Sequence, residues 1–345
     1  MFGEREYWLS EAEFSKLEKI KNVRVFDYPV PEELGWGFAS PIDLTVELTK
    51  DCKLRCRHCW NESGKGTSLD YERLKEVTGE FRSRGGQVIR LVGGEPLCYD
   101  NFFPLLDFIK EKGIPRVDIT TNGTMFQEGD ISNLSNYLSH VNLSIHGDCP
   151  AIHDSITRSK GSFEKATRNL KGLAREGIDT TIYFTYMPFN GDSIGGVMDL
   201  AKQTGSRIKF SFLQNQGRAL ELRSPTKEEI QQTSRKIIEE ANRKGVRLER
   251  SGLVPCTYEI DLDKSNFYGC SGMRKSLYIT SEGEVYPCEL FNVPIANIYN
   301  VGLIDAWNSQ NAAKFRDLMN CAEKESCEMK CAGRCKAPIK DRWNK

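Results

Sequence analysis

The stretch IDLTVELTKDCKLRCRHC, residues 42–59, joins an apolar, β-branched run to three closely spaced cysteines. The run at residues 42–48 predicts a buried strand, and the cysteines follow in the loop at its C-terminal end. Three and then two residues separate Cys52, Cys56 and Cys59, and thiolates are the natural ligands of cubane iron–sulfur clusters. Three thiolates on four irons leave one iron open to a small molecule.

The composition shows that the chain has no net charge at neutral pH. It has 345 residues, long enough for a main catalytic domain and a smaller one, and Lys plus Arg and Asp plus Glu both total 48. We therefore expect neither nucleic acid nor a membrane as partner. The N-terminus lacks the apolar core of a signal peptide, which favours a cytoplasmic protein. In a reducing compartment, 12 cysteines indicate metal ligation rather than disulfides.

Strand and helix patterns alternate beyond the first strand. Further apolar, β-branched runs lie at residues 88–92, 117–121, 141–145, 181–187 and 208–213. Between these runs, apolar residues recur at helical spacing. A capping box at Thr226 and Glu229 predicts a longer helix after the last predicted strand. This alternation predicts an α/β fold with a parallel sheet and right-handed crossovers. Periodicity alone does not distinguish an open sheet from a complete or a partial barrel.

Short motifs follow several predicted strands at their C-terminal ends, where parallel barrels place their chemistry. With the cysteine loop, they resemble the radical S-adenosylmethionine superfamily. His58 takes the place of an aromatic-type residue before the last cysteine, and His146 stands where the family commonly has Asp. The resemblance implies a cofactor-binding set comprising His58, Gly93, Gly94, Glu95, Pro96, Asn122, Ser144 and Arg158.

Individual members of this set resemble parts of the superfamily with separate tasks. Residues 93–96 resemble the segment that binds the methionyl amino group, and Ser144 resembles a serine that contacts the ribose. Arg158 resembles the arginine that pairs with the methionyl carboxylate. The cysteine loop could instead be a zinc site or three buried thiols, although zinc needs a fourth ligand.

The resemblance implies a partial (β/α)6 TIM-like barrel over residues 41–222, preceded by an extension over residues 1–40 and followed by a bridging region over residues 223–253. It also implies a mechanism. One electron passes from a reduced 4Fe–4S cluster to the sulfonium of S-adenosylmethionine, and the resulting 5'-deoxyadenosyl radical removes hydrogen from a substrate. Orientation and exclusion of solvent are then the tasks of the protein.

The remaining residues, 254–345, contain a second cysteine constellation. It resembles the SPASM extension, which carries auxiliary iron–sulfur clusters. By position, the resemblance assigns a first cluster to Cys256, Cys270, Cys288 and Cys331, and a second to Cys321, Cys327 and Cys335. Leu318 stands where a further cysteine is usual, so the second cluster lacks a thiolate, uses another ligand such as Asp317, or is absent. A four-cysteine zinc ribbon would have the same composition.

Four residues outside these ligand sets are candidates for roles toward a substrate. Glu289 takes the place of an acidic residue that accepts a substrate proton in related sulfatase-activating enzymes, and a carboxylate in a cleft is a reasonable general base. Cys98 and Cys149 follow the site motifs and are candidate hydrogen donors, although both could be buried inert thiols. Arg218 resembles part of a segment common in SPASM enzymes and is a candidate substrate contact.

The resemblance favours an enzyme that crosslinks, oxidises or epimerises a ribosomally made precursor peptide, with a flavodoxin or ferredoxin-type protein as electron donor. The second hypothesis is a radical epimerase or dehydrogenase for a small molecule such as a sugar, an aminoglycoside or a tetrapyrrole. An iron–sulfur electron carrier or a zinc-binding scaffold is a third possibility, but neither would need residues 93–96 or Arg158.

Overall fold

The computed structural model describes residues 38–127, 129–249, 272–289, 291 and 293–323, with the side chains of residues 318–323 outside the description. Within this part of the chain, strands and helices alternate from β1 to β6. The strands are β1 Asp43–Glu47, β2 Val88–Val92, β3 Arg116–Thr121, β4 His140–Ser144, β5 Asp179–Tyr186, β6 Arg207–Phe212, β7 Leu248–Glu249, β8 Ser276–Ile279, β9 Glu284–Tyr286 and β10 Ala296–Asn297.

The helices fill the connections between the strands and follow the last strand. They are α1 Tyr71–Ser83, α2 Phe102–Glu111, α3 Asp130–Leu134, α4 Pro150–Thr157, α5 Ser162–Arg175, α6 Ile194–Thr204, α7 Lys227–Lys244, α8 Leu303–Trp307 and α9 Gln310–Glu323. The predicted capping box is present at the start of α7, where Thr226 Oγ1 accepts from Glu229 N and the Glu229 carboxylate accepts from Thr226 N. No helix among the described residues is long and apolar enough to cross a membrane.

The sheet confirms the predicted parallel α/β fold and extends it at both edges. The strand order is β10-β9-β8-β1-β2-β3-β4-β5-β6-β7, and every pair from β8 to β7 is parallel. The six predicted strands are all present and begin and end within two residues of their predicted limits. β7 and β8 were not predicted as members of this sheet.

The two faces of the strands carry different side chains. In β1, Leu44 and Val46 are buried in the apolar core, whereas Thr45 and Glu47 point to the opposite, inner face of the partial barrel. The inner face is polar, as in β4, where His140 and Asn142 are buried and hydrogen bond to each other through His140 Nε2 and Asn142 Oδ1. An inner face of this kind can accommodate a polar ligand.

The C-terminal part of the chain packs directly on the barrel. β8 pairs with β1 in parallel, with Thr45 opposite Tyr278. At the start of α8, the Glu80 carboxylate of α1 accepts from Leu303 N (2.7 Å) and thereby caps the helix. Trp307 of α8 is buried, and its indole donates to the carbonyl of Phe38 (3.0 Å). The hairpin β8–β9, which leads to Cys288, is therefore fixed against the first strand of the barrel.

Candidate functional site

The cysteine loop follows β1 and is fastened by backbone hydrogen bonds. Cys52 N donates to Gly64 O (2.7 Å), which closes the loop on itself. Arg57 N donates to Ile156 O near the end of α4 (2.9 Å). Cys52, Cys56 and Cys59 are half-buried free thiols within this loop. The loop thus holds its three thiols at the C-terminal end of β1, as predicted from the sequence.

The Gly93–Pro96 segment lies directly against this loop. Gly94 N donates to Thr49 O (2.6 Å) and Glu95 N donates to Asp51 O (2.8 Å). A Cβ added to Gly94 would lie 2.4 Å from Asp51 O, and one added to Gly93 would lie 2.6 Å from Thr49 O. Glycine is required at both positions because the two backbones approach too closely for any side chain.

Glu95 connects the segment to the end of β3. Its fully buried carboxylate accepts from Thr121 Oγ1 (2.6 Å) and Asn122 N (2.8 Å). Burial raises its pKa to about 7, although these donors and Leu97 N favour the charged form. Asn122 Nδ2 lies 3.8 Å from Cys52 Sγ. Three motifs that are far apart in sequence therefore meet at one edge of the sheet.

Two thiols of the loop lie where burial disfavours the thiolate. Burial raises the pKa of Cys52 to about 11 and that of Cys56 to about 12, and neighbouring thiols add to both shifts. Among the described residues, no three His, Cys, Asp or Glu side chains are placed so that they could bind one metal ion together. The ligands of a four-iron cluster stand further apart than those of one ion. A shared loop of three thiols fits such a cluster in donor type and number.

Arg218 also holds the cysteine loop, through hydrogen bonds to its carbonyl groups. Its Nε donates to Cys56 O (2.9 Å), its NH1 group donates to Ser63 O (3.0 Å), and its backbone N donates to Cys59 O (3.1 Å). A Cβ on the preceding Gly217 would lie 2.4 Å from Trp60 O. The guanidinium therefore donates to carbonyl groups of the loop. The substrate contact expected for Arg218 stays a prediction.

Three histidines form a buried group beside the last cysteine. The rings of His58 and His146 meet edge to face with centroids 4.2 Å apart, and His146 stacks on His153 at 6.0 Å. His146 Nδ1 accepts from Thr185 N (3.1 Å), and His153 Nδ1 accepts from His146 N (3.1 Å). Burial lowers the pKa of His58 and of His153 to about 4, so these imidazoles are neutral near pH 7.

The other two predicted cofactor residues occupy different surroundings. Ser144 is the last residue of β4 and is half-buried on the inner face. Arg158 follows α4 in a left-handed conformation, with φ of 55°, and its exposed guanidinium lies 3.7 Å from Glu221. Ser144 therefore lies at the C-terminal edge of the sheet, where the cysteine loop follows β1, and Arg158 is exposed just beyond α4.

The candidate catalytic residues lie in three places. Cys98 ends a short 3₁₀ turn, Pro96–Cys98, and burial raises its pKa. It lies close enough to Cys52 to affect the pKa of that thiol. Cys149 is half-buried at the start of α4. Glu289 is exposed in the turn after Cys288.

The surroundings of Glu289 connect it with the inner face of the barrel. Burial raises the pKa of Tyr183 and of Tyr278, and Glu289 adds to both shifts. It also helps to raise the pKa of Lys209 against the lowering effect of burial. The Lys209 ammonium lies 3.4 Å from the Tyr183 hydroxyl. These side chains belong to β5, β6 and β8, so the charge of Glu289 acts on three strands of the barrel.

Most of the predicted auxiliary ligands lie outside the described residues. Cys288 is half-buried and follows β9. Cys321 lies in the last turn of α9, and nothing is described of its side chain. The remaining candidates are outside the described part of the chain: Cys256, Cys270, Cys327, Cys331 and Cys335.

Residues important to the arrangement were also missed by the sequence reasoning. Glu47, Asn61 and Tyr278 form a hydrogen-bonded group between the cysteine loop and the C-terminal hairpin. The available signal was a glutamate between apolar residues at the end of a strand, where a charge is costly unless it has partners. The partner across the sheet could not be read from the local pattern.

Comparison with known families agrees with this arrangement. Residues 46–203 match the radical SAM superfamily, and residues 270–336 match the SPASM iron–sulfur cluster-binding domain. These matches identify the chain as a radical SAM protein with a SPASM domain.

Two curated relatives differ in what their names describe. The chain is 27% identical over 279 residues to the antilisterial bacteriocin subtilosin biosynthesis protein AlbA of Bacillus subtilis, covering 79% of this chain and 60% of AlbA. It is 26% identical over 325 residues to the AdoMet-dependent heme synthase of Methanosarcina barkeri, covering 86% of this chain and 92% of that protein. The chain therefore spans less than two thirds of AlbA.

The fold is also that of solved radical SAM structures. Streptococcus suis SuiB bound to S-adenosylmethionine superposes with a TM-score of 0.72 and 17% identity, covering 95% of this chain and 79% of SuiB. SuiB bound to its precursor peptide SuiA gives a TM-score of 0.69 with 15% identity, covering 94% and 79% respectively. At this level of identity the similarity establishes the fold alone.

Proposed function

We propose that the chain is a radical SAM enzyme that modifies a ribosomally synthesised precursor peptide. The observation that carries the proposal is the contact of the cysteine loop with the Gly93–Pro96 segment and with Asn122, three matching motifs at one edge of the sheet. The names of AlbA and of the SuiB complex support a peptide as substrate.

The proposed ligands of the first cluster are Cys52, Cys56 and Cys59. When bound, the cluster and S-adenosylmethionine supply the electron and the radical precursor that start the reaction. Gly93 and Gly94 let their segment lie directly against the backbone of the cysteine loop, and Glu95 fixes the segment to β3. The inner face orients the substrate and excludes water, which limits side reactions.

The proposed general base is Glu289. Its carboxylate is exposed beside Lys209 and Tyr278, so it can accept a proton from a substrate carbon or amide at the barrel mouth. Cys149 is proposed as a hydrogen donor in an epimerisation, because it is half-buried beyond the end of β4. Cys98 is less suited to that task because it lies beside Cys52.

The C-terminal cysteines are proposed to hold one or two auxiliary iron–sulfur clusters, with Cys288 as the ligand nearest the barrel. A flavodoxin or ferredoxin-type protein is the proposed electron donor. None of the six cysteines for which the structure describes side chains forms a disulfide, which supports a reducing, cytoplasmic location.

The first experiment tests the initiating reaction. The anaerobically reconstituted protein, given dithionite and S-adenosylmethionine, is expected to release 5'-deoxyadenosine, and Cys56→Ala is expected to abolish release. Normal iron loading without this product would contradict the proposal. Zinc in place of iron would identify a zinc site instead.

The second experiment tests the substrate. Peptides encoded beside the gene are incubated with the enzyme in heavy water and weighed by mass spectrometry. A loss of two hydrogens indicates crosslinking or oxidation, and a gain of one deuterium indicates epimerisation. Glu289→Gln is expected to slow modification while 5'-deoxyadenosine is still formed.

A small-molecule radical enzyme is the second candidate function. The similarity to the heme synthase of Methanosarcina barkeri extends over 92% of that protein, which favours a tetrapyrrole among the small molecules. Modification of a tetrapyrrole and not of any peptide in the same assay would select this candidate.

A further inference from the structure

Glu47 is a buried carboxylate at the end of β1, with only 2% of its surface exposed. Its Oε2 accepts from the Tyr278 hydroxyl (2.7 Å) and from Asn61 Nδ2 (3.2 Å). Its Oε1 accepts from Ser281 Oγ (2.7 Å) and Ser281 N (3.3 Å). All four donors are neutral, so they stabilise the carboxylate charge without cancelling it.

Asn61 connects this carboxylate to the cysteine loop. Its Oδ1 lies 3.1 Å from Cys59 Sγ and accepts from Ser63 N (3.2 Å), while its Nδ2 donates to Glu47. A single amide therefore separates the Glu47 carboxylate from the Cys59 sulfur. A metal-bound thiolate has no proton to donate to Oδ1. The interaction that persists after metal binding is the electrostatic effect of Glu47 on the metal centre.

Glu47 also lies between the cysteine loop and the hairpin that leads to Cys288. Tyr278 and Ser281 belong to the hairpin that leads to Cys288, and Asn61 belongs to the loop of Cys59. The same carboxylate therefore positions both segments against β1. Its charge acts on the cysteine loop at short range because the connection through Asn61 is one side chain long.

We propose that Glu47 is a positioning residue that lowers the reduction potential of the cluster in the Cys52–Cys59 loop. A buried negative charge opposes the addition of an electron nearby and makes the reduced centre a stronger reductant toward a sulfonium. The inference rests on Cys59 being a cluster ligand, as proposed above. For a charge about 10 Å away at an effective dielectric constant of about 20, the ratio of reduced to oxidised cluster changes roughly tenfold, about 59 mV for one electron.

A merely structural role predicts a different result, and the chain offers a control for it. Thr67 ties the same loop to the same hairpin turn through Ser281 Oγ (3.2 Å) and Glu282 Oε1 (3.0 Å). Thr67→Val removes these bonds without changing a charge or touching Glu47. If the loop were only being loosened, Thr67→Val would shift the potential as much as a change at Glu47.

Two substitutions on the Glu47 group are expected to act in opposite directions. Glu47→Gln removes the charge with little change in shape, so the potential should rise. Tyr278→Phe removes a donor that partly offsets the charge, so the potential should fall by a smaller amount. Potential shifts of opposite sign would follow from changes in the charge of the Glu47 group, whereas loosening of the cysteine loop would not produce them.

The experiment is a redox titration of the anaerobically reconstituted full chain, followed by the electron paramagnetic resonance signal that changes when S-adenosylmethionine is added. Iron content is measured for each variant. We expect the ratio of reduced to oxidised cluster at a fixed potential to rise roughly tenfold in Glu47→Gln, to fall in Tyr278→Phe and to stay at the parental value in Thr67→Val.

Equal midpoints in the parent and Glu47→Gln, or a shift of the same sign in all three variants, would overturn the proposal. If Glu47→Gln fails to bind iron, the nearly isosteric Tyr278→Phe provides the test. An unchanged or raised midpoint potential in Tyr278→Phe would then reject the proposal. Failure of both variants to bind iron would also reject it, in favour of a purely structural carboxylate. Absence of any signal responsive to S-adenosylmethionine in the parent would instead contradict the proposed function.

Discussion

The hold of Arg218 on the cysteine loop can be tested by removing its side chain. In Arg218→Ala, the carbonyls of Cys56 and Ser63 lose donors that now lie at 2.9 Å and 3.0 Å. The backbone bond from residue 218 to Cys59 O does not depend on the side chain. The substitution therefore isolates the two guanidinium bonds from the backbone contact that packs the 3₁₀ turn Gly217–Glu221 onto the loop.

The expected cost follows from these two bonds. A hydrogen bond from a charged donor contributes about 1.5–3 kcal/mol, and the lower value applies because the side chain is only half-buried. Losing both costs about 3 kcal/mol, which is roughly a 100-fold change in the ratio of ordered to displaced loop. Arg218→Lys keeps the charge but replaces the planar fork with a single ammonium, so we expect it to recover about half of this free energy.

The assay is the rate at which a chelator removes iron from the reconstituted protein, combined with the rate of 5'-deoxyadenosine release. Arg218→Ala should lose iron fastest, Arg218→Lys at an intermediate rate, and the parent slowest. Arg223→Ala is the matched control, because Arg223 is an exposed arginine paired with Glu229 and does not contact the loop. Iron loss from Arg218→Ala at the rate of this control would refute the role of the guanidinium in holding the loop.

Four other substitutions test separate parts of the structure. Gly94→Ala places a Cβ 2.4 Å from Asp51 O and should displace the cysteine loop and slow 5'-deoxyadenosine release; Gly79→Ala, where an added Cβ meets nothing within 4 Å, should raise the free energy of unfolding by about 1 kcal/mol. Burial raises the pKa of Glu95 from 4.5 to about 7, so its contribution to folding stability falls as pH rises through that range. Denaturant titrations of metal-free Glu95→Gln should lack this decline, and an unchanged pH profile would contradict it. Thr226→Ala removes an N-cap and should cost about 1 kcal/mol without loss of iron.

The parallel sheet was predictable because each strand has a local pattern. Residues 88–92, for example, were predicted as a strand and form β2 with those limits. The short strand Ser276–Ile279 has a similar apolar pattern, but nothing in it indicates that it pairs in parallel with β1. Its partner lies more than 200 residues earlier in the sequence. Pairing over that distance depends on how the whole chain packs, and four residues do not encode it.

The site was predictable where the backbone alone decides the position. The cysteine loop and residues 93–96 follow adjacent parallel strands, so their meeting at one edge follows from topology. The tasks of individual side chains were less predictable. Arg218 was a candidate for substrate binding but uses its donors on loop carbonyls, and Glu47 gave no sign of its partner Tyr278. Side-chain direction depends on contacts between distant segments, which a motif does not contain.

The polar inner face divides into two levels with different tasks. Near the N-terminal ends of the strands, Arg90 pairs with Asp43 and lies 3.7 Å from Asp118, while Arg207 pairs with Asp179. Each of these side chains is matched by an opposite charge on a neighbouring strand. This level therefore has its charges already satisfied and offers little to a ligand.

The level nearer the C-terminal ends is different, because it includes a carboxylate that is exposed to solvent. Lys209 lies 3.8 Å from Glu249 and 3.4 Å from the Tyr183 hydroxyl, and Glu289 stands exposed beside them. Under the proposed function, a substrate that enters at the barrel mouth meets this upper level before the paired charges beneath it. Changes near the N-terminal ends of the strands should therefore alter stability, whereas changes at Lys209 or Glu289 should alter which substrate is accepted. Separation of this kind would let one initiating centre act on different substrates through changes at the mouth alone.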